Sequence, residues 1–344
     1  MDKQPYRWNY LIESPQFDTA GCKKRIHIMS ETLFPDLSPK AQEVLYIIGN
    51  GFDIAHGISS KYSDFEFWVK ARDNKQMVDM MDTFFSNEHY LWADVETALG
   101  EYREEDIFNY CKPNEEIDYD HMMRSVAAIE DAPDWIFKPI LDDFLDIFTD
   151  WVNSIDISQA RQQLQIESQS KFLTFNYTET LEKVYGIPDD NILHIHGSRA
   201  VKGDTYIIGH NNIKPENLYD TLNGELYFEQ DTKNKIIGWM NKLHKDTSSI
   251  IRHNASFFCS LSGITHVVVI GHSVNEVDWS YFDEVNKNVG SNALWHFHYH
   301  SSEDKKRIEA YIAHSKRTGD RSLSRMKKRR TECQYNPTNI RNNP

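Results

Sequence analysis

The amino-acid sequence predicts an α/β protein of the Rossmann-like type, in which helices cover both faces of a mostly parallel sheet. Three observations indicate this fold class. Apolar runs of strand length alternate with helical segments in the second half of the chain. The runs at residues 44–48 and 265–270 are apolar on both faces, as central strands of parallel sheets are. Between the first two strands, apolar residues recur at three- and four-residue spacing, which predicts a large helical insertion.

The elements follow in order along the chain. Residues 1–42 contain four prolines and no clear period, which predicts an N-terminal extension. Residues 43–315 form the α/β domain, with its first strand at 44–48 and the helical insertion at about 60–170. We expect further strands at 172–175, 191–196, 205–208, 265–270 and 293–299, and helices at 178–185 and 275–289. Gly186 and Pro188 supply the stop signal of the first of these helices.

The last part of the chain differs sharply in charge. Residues 316–344 begin with the strongly basic stretch KRTGDRSLSRMKKRR and end in polar, turn-forming residues. Such a composition predicts a flexible tail, and a basic arm that contacts nucleic acid or an acidic partner is the alternative.

Composition limits the classes of function. The formal net charge of −14 argues against a general nucleic-acid-binding surface, leaving the basic tail as the one candidate for such contacts. The sequence has no run of about 18 apolar residues, so we expect no membrane span. Its first residues lack the apolar stretch of a secretory signal. The four cysteines form no C-x-x-C pair, so we expect reduced thiols and a cytoplasmic protein.

Four polar clusters follow predicted strands, at the edge of the sheet where open α/β folds bind ligands. The first strand ends in a glycine turn, whose residues let the backbone approach a phosphate or a ribose. The clusters together predict one binding pocket, and their members are Gly49, Asn50, Gly51, Phe52, Asp53 and His56; Asn176 and Thr178; His194, His196 and Gly197; and Gly271, His272 and Ser273.

Each cluster also has a purely structural interpretation. The glycines can form an ordinary strand–helix turn, Asn176 can serve as a turn or cap residue, and Ser273 can be a helix N-cap. His194 and His196 lie on one strand face by the period of two, so one can be structural while the other, beside Gly197, contacts a ligand. Four such clusters in strand order favour the binding pocket.

The ordered motifs resemble the bacteriophage abortive infection AbiH family. They are G-N-G-F-D-x-x-H-G at 49–57, Y-x-D-F at 62–65, L-W-x-D-x-E-x-x-L-G at 91–100, F-N-Y-T-x-T-L-E at 175–182 and H-I-H-G at 194–197. The resemblance covers roughly residues 43–300. It implies an antiviral defence protein of bacterial or phage origin that acts inside the cell.

A more distant resemblance, to sirtuin-like NAD-binding domains, suggests the chemistry. Those domains carry a G-A-G loop, a T-x-N-x-D strand end, an H-G pair and a late G-x-S. This chain has Gly49-Asn50-Gly51, Thr174-Phe175-Asn176, His196-Gly197 and Gly271-His272-Ser273 in the same order. Here Asn50 replaces the small middle residue, Asp53 stands near the usual serine, and Thr178 replaces the acid of the second motif. The four-cysteine zinc module of sirtuins is absent, so we expect no metal. The resemblance therefore implies binding or cleavage of NAD rather than protein deacylation.

Cleavage of NAD needs no general acid, because nicotinamide leaves as a neutral ring. His196 can act as general base, since the pKa of histidine lies near working pH. Asn176 can hold the ribose or orient water, and Asp53 can bind ribose hydroxyls or offset developing positive charge. The glycine turn would receive the pyrophosphate on its N–H groups. We therefore expect an NAD glycohydrolase.

Two alternatives stay open. The histidines at 194, 196, 210, 272, 296, 298 and 300 suit Zn, Mn or Fe, which allows a metal-dependent phosphoesterase or nuclease. For residues 296, 298 and 300, a solvated edge strand is the simpler explanation. A non-catalytic nucleotide-sensing module is the second alternative. Candidate partners are the small-molecule nucleotide, a phage-derived trigger or partner protein, and a second copy of the chain.

Overall fold

The chain folds around a six-stranded sheet with helices on both faces. The computed structural model describes residues 9–13, 40–72, 75–85, 91–112, 122–201, 203–215 and 227–329. The strands are β1 (Asn9–Glu13), β2 (Val44–Ile48), β3 (Lys171–Thr174), β4 (Ile192–His194), β5 (His266–Ile270) and β6 (Leu294–Tyr299). Their order in the sheet is β1-β6-β5-β2-β3-β4. All pairs are parallel except that of β1 with β6, so the predicted α/β class is confirmed.

The central strands are buried on both faces, as their apolar sequences predict. Val44, Tyr46 and Ile48 of β2 pack into the core on one side of the sheet, and Leu45 and Ile47 pack into the core on the other. β5 divides its side chains between the same two cores. Burial on both faces explains why these strands are continuous apolar runs and not alternating ones.

Twelve helices are described. Those between β2 and β3 are α1 (Asn50–Ala55), α2 (Tyr62–Ala71), α3 (Lys75–Phe85), α4 (Val95–Gly100), α5 (Glu104–Cys111) and α6 (Met122–Ser154). The later helices are α7 (Thr180–Tyr185), α8 (Tyr227–Asn241), α9 (Thr247–His253), α10 (Ala255–Cys259), α11 (Trp279–Asn288) and α12 (Ser302–Arg329). Short 3-10 turns occur at 41–43, 91–93, 189–191, 260–263 and 276–278.

The helices α2 to α6 form the predicted insertion and have a hydrophobic core of their own. Phe65 lies at its centre, with its ring within 5.5 Å of Phe148 and 5.9 Å of Trp92. Helix α8, which follows β4 in the chain, completes this core with the buried Ile236 and Met240.

Two predicted features differ in the structure. Residues 205–208 are not a strand; their alternation arises because Tyr206 and Ile208 are buried in the insertion core. The interpretation of the late histidines as a solvated edge strand is wrong for His296 and His298: both are buried, and β6 is not an edge strand because β1 pairs outside it. His300, just beyond β6, is exposed.

The two ends of the chain add structure that the sequence did not predict. β1 lies within the predicted N-terminal extension and is antiparallel to β6; residues 1–8 and 14–39 lie outside the described residues. Helix α12 continues through Arg329, into the predicted basic tail, and residues 330–344 are outside the described part. None of the described helices is long and apolar enough to cross a membrane.

The sheet has a topological switch point between β2 and β5. From β2 the chain proceeds to β3 and β4 on one side, whereas β5 and β6 lie on the other side of β2. Open α/β sheets bind ligands at such a switch point, beyond the carboxyl ends of the strands.

Candidate functional site

A cavity of about 550 Å³ lies at the carboxyl ends of the strands, beside the switch point. Its volume is typical of sites for cofactor-sized ligands. The segments after β2, β3, β4, β5 and β6 all contribute to its wall. The insertion forms the opposite wall, with Tyr62, Trp92, Asp94, Glu96 and Trp151 among its lining residues.

The glycine turn after β2 packs directly against the turn after β5. A Cβ atom at Gly49 would lie 2.6 Å from the Cα of His272, and one at Gly51 would lie 2.9 Å from the Cα of Gly271. The N–H groups of the turn are already used: Gly49 donates to Ile270 O, Gly51 to Gly271 O and Phe52 to Gly49 O. The glycines thus serve loop packing, and these three N–H groups do not form the expected phosphate cradle.

Asp53 is a buried carboxylate on the first helix after this turn. The hydroxyl group of Thr178 donates a hydrogen bond to Asp53 Oδ2 over 2.5 Å. The hydroxyl oxygen of Thr180 lies 3.0 Å from that of Thr178. Burial raises the pKa of Asp53 to about 6, although the side chains of Thr178, Thr180 and Asn176 favour the ionised form. Within the described part of the chain, Asp53 Oδ1 has no hydrogen-bond partner. Asp53 is also one of the residues that line the cavity.

Asn176 and His196 have further buried polar atoms without partners and belong to the same cavity lining. Both side chains are buried, and both residues line the cavity. Asn176 Oδ1 and His196 Nε2 make no hydrogen bond to any residue that the structure describes. An unsatisfied buried polar atom costs about 1–3 kcal/mol. Three residues that line one cavity thus each carry such an atom, and a polar ligand that reached them would complete their hydrogen bonds.

His196 is held as a neutral ring. Burial, and after it the positive charge of Lys245, lowers the pKa of His196 well below its usual value. Asp278 opposes this shift, with its Oδ1 atom 4.0 Å from His196 Nε2. In the tautomer that carries its hydrogen on Nδ1, Nε2 can accept a proton, and the nearby carboxylate would stabilise the resulting cation.

Behind His196 lies a buried charged triad that joins the insertion to the sheet. Lys245 Nζ is 3.1 Å from Glu96 Oε1 on α4 and 3.0 Å from Asp278 Oδ1, and its side chain is fully buried. Burial raises the pKa of Glu96 to about 7, against the charge of Lys245. Although burial acts to raise the pKa of Asp278 too, Lys245 and His272 hold it well below the usual range.

The segment after β5 is fixed by His272 and by a strained backbone. The Val274 N–H donates to His272 Nδ1 over 2.9 Å, so Nε2 carries the proton and faces Asp278 Oδ2 at 3.4 Å. Val274 has a φ of 52°, a conformation that β-branched residues rarely adopt. Strain of this kind often lies at functional sites.

Most of the predicted site residues line this one cavity: Gly49, Asn50, Gly51, Asp53, Asn176, Thr178, His196, Gly271, His272 and Ser273. Phe52, His56 and Gly197 are not among the lining residues. Phe52 is buried against the sheet, and the His56 ring bonds to Phe52 O and the Tyr185 hydroxyl. Gly197 adopts a φ of 89° and packs on the backbone of Thr205.

The two histidines of the H-I-H-G motif have separate environments. His194 Nε2 lies 2.8 Å from Glu182 Oε1, and its Nδ1 lies 2.9 Å from Asn176 O. His194 therefore positions the backbone of Asn176, and His196 lies at the cavity.

Sequence reasoning missed Lys245 entirely. It stands in the polar stretch 241–246, where a lysine is normally solvated, and nothing local signals its burial. Within the described residues, no group of three or more histidine, cysteine, aspartate or glutamate side chains is arranged to hold a metal ion.

Comparison with known proteins gives one match. A family model described as bacteriophage abortive infection AbiH matches residues 45–299, about three quarters of the chain. No curated protein and no solved structure matches the chain significantly.

Proposed function

The chain belongs to the bacteriophage abortive infection AbiH family, and from that premise we propose that it binds NAD or a related nucleotide and hydrolyses its N-glycosidic bond. Membership of this family indicates a defence protein that acts against phage by abortive infection. The observation that carries the proposal is that Asp53, Asn176 and His196 line one cavity beside the switch point and each have a buried polar atom without a hydrogen-bond partner among the described residues.

The reaction separates nicotinamide from ADP-ribose. The bond between the ribose C1′ and the nicotinamide nitrogen breaks, its electron pair stays on the ring, and a water oxygen bonds to C1′. Asp53 Oδ1 accepts a hydrogen bond from a ribose hydroxyl and, when ionised, offsets the positive charge that develops on the sugar. Asn176 Oδ1 accepts a hydrogen bond from a second ribose hydroxyl.

His196 takes the proton that the water loses. Its neutral Nε2 is available for this step, and Asp278 stabilises the imidazolium that forms. The triad with Lys245 keeps Asp278 ionised for that purpose. The insertion covers one side of the site with the side chains of Trp92 and Trp151.

Release of nicotinamide tests the proposal directly. Purified protein is incubated with NAD, alone and in an extract of phage-infected cells, and nicotinamide is quantified. We expect release by the wild-type protein, and a loss of 100-fold or more in H196A and in N176A. H253A removes an exposed histidine of α9 and serves as the matched control with unchanged activity.

Other outcomes point elsewhere. No release under either condition, or full activity in H196A and N176A, would contradict the assignment. Binding of NAD without cleavage would indicate a nucleotide sensor. Activity that chelators abolish and Mn or Zn restores would indicate a metal-dependent hydrolase.

A further inference from the structure

The cavity is polarised in charge along the strand ends. Asp53, Asp278 and Glu96 lie where the segments after β2 and β5 meet the insertion, and Asp278 and Glu96 share the single cation Lys245. A negatively charged group would be repelled there. The positively charged nicotinamide ring of NAD, in contrast, is favoured by this acidic part of the wall.

The glycine turn is also a poor place for phosphate. Its N–H groups at Gly49, Gly51 and Phe52 donate to backbone oxygens, so a phosphate oxygen would have to displace those bonds. A nucleotide whose ribose lies against Asp53 therefore needs another part of the wall for its phosphates.

Arg307 offers such a place at the other end of the cavity. It lies near the start of α12, half-buried, and lines the cavity together with Tyr299 and His300 at the end of β6. Among the described residues it has neither an ion pair nor a hydrogen-bond partner. Its neighbour Asp304 also lines the cavity, but that carboxylate accepts hydrogen bonds from the N–H groups of Ser301 and His300 at the start of α12.

Asp53 and Arg307 follow β2 and β6, and the strand order gives the spacing of these two strands. β6 lies two strand spacings from β2, about 10 Å across the sheet. An arginine side chain reaches back over part of that span. A diphosphate attached to the 5′ carbon of a ribose held at Asp53 and Asn176 would have to bridge the rest of it.

We propose that Arg307 forms a diphosphate-binding subsite at the β6 end of this cavity, so that the ligand is a dinucleotide or a nucleoside diphosphate derivative. This inference rests on the proposed function for the placement of the ribose. The planar guanidinium donates paired hydrogen bonds to phosphate oxygens, which a lysine cannot do. The exposed Lys61, the other cation of the described lining, adds charge from the side of the insertion.

Equilibrium binding of chosen probes tests the subsite. Calorimetry compares ADP-ribose, inorganic pyrophosphate and the phosphate-free nicotinamide riboside on wild type, R307Q and R307K. We expect R307Q to weaken the affinity for ADP-ribose and pyrophosphate about 10- to 100-fold, and the affinities of R307K to lie between those of wild type and R307Q. The affinity for nicotinamide riboside should stay within about twofold. K306Q removes the same charge from the adjacent, largely exposed residue and should change no affinity.

The outcomes separate this subsite from the proposed reaction. Unchanged affinity of R307Q for both diphosphates, or a wild-type protein that binds neither, would overturn the subsite. Tight, Arg307-dependent binding of ADP-ribose without any cleavage of NAD would contradict the hydrolysis and support the subsite. A melting temperature of R307Q close to that of wild type shows that the variant is folded.

Discussion

The buried carboxylate of Asp53 lowers the free energy of unfolding of the protein when it is ionised. Its pKa rises from 3.8 to about 6 because the group is buried, and one of its oxygens has no hydrogen bond from the described residues. Carboxyl groups with a strongly raised pKa are found more often at functional sites, so Asp53 is a strong candidate for a binding or catalytic role.

Replacement of this carboxylate should stabilise the protein. A carboxyl whose pKa is higher when folded loses stability as the pH rises from its unfolded pKa, 3.8, through its folded pKa, about 6. Two pKa units correspond to about 3 kcal/mol. We therefore expect D53N to raise the free energy of unfolding by up to about 3 kcal/mol at pH 7, and by much less at pH 4, while abolishing activity.

Urea unfolding at both pH values measures this effect. The control D189N, at an exposed position, should change the free energy of unfolding by less than about 0.5 kcal/mol. A D53N protein that is less stable than wild type at pH 7 would show that the ionised carboxylate is satisfied within the fold.

The pH profile of NAD hydrolysis should depend on Thr178. The hydroxyl of Thr178 favours the ionised form of Asp53, whose pKa is about 6, so activity should fall below that pH as Asp53 is protonated. T178V removes the hydrogen bond and should move this acidic limb of kcat/KM to higher pH, whereas T178S keeps the hydroxyl and should leave the limb in place. Coincident pH profiles for the three proteins would show that the acidic limb does not arise from the protonation of Asp53.

At the scale of the elements, two turns make the site possible. The turns after β2 and β5 approach so closely that side chains at Gly49 and Gly51 would meet backbone atoms. Backbone atoms cannot rotate away as a flexible side chain can. The glycines of the G-N-G motif are therefore required by packing, whatever ligand the cavity binds.

Substitution of Gly49 by alanine should damage the fold. The new Cβ would lie 2.6 Å from the Cα of His272 and 2.7 Å from Gly271 O, and overpacking of this kind costs about 1–3 kcal/mol. In G238A the new methyl group has open space in the interior of α8, and that variant should be as stable as wild type or more stable by about 0.5–1 kcal/mol. Thermal unfolding of both proteins checks this; equal melting temperatures would mean that the two turns can separate freely.

The sequence predicted those elements whose signals are local. The apolar runs of β2 and β5, the helical insertion and the four clusters all depend on neighbouring residues, and most cluster members do meet at the cavity. Residues 205–208 alternate because Tyr206 and Ile208 pack into the insertion, and no local pattern tells that core from a sheet. β1 was missed because its pairing with β6 joins residues that are distant in the sequence.

At the scale of the whole molecule, the insertion and the sheet are joined across the cavity by buried polar contacts. Glu96 of α4 meets Lys245 and, through it, Asp278. Asn275, after β5, donates to Asp94 and Thr97 at the start of α4. Arg199, after β4, donates to the carbonyls of Val152 and Ile155 at the end of α6. The wall of the site therefore depends on long-range pairs.

Loss of the Lys245 charge should loosen this junction. K245M leaves Glu96 and Asp278 buried without their cation, and breaking a buried charge pair costs about 3–5 kcal/mol. The double variant K245M/E96Q removes one of the two acids and should recover part of that loss. K287M, at a surface pair with Glu284, should cost less than about 1 kcal/mol. Denaturant unfolding distinguishes these cases, and a K245M protein as stable as wild type would mean that water reaches the triad.

A crystal structure of H196A soaked with NAD tests the central claim most directly, because the variant should bind the nucleotide without cleaving it. We expect the nicotinamide ribose within hydrogen-bond distance of Asp53 Oδ1 and Asn176 Oδ1, in the cavity between the sheet and the insertion. An NAD molecule bound outside that cavity, or a cavity that stays empty of nucleotide at saturating NAD, would contradict it.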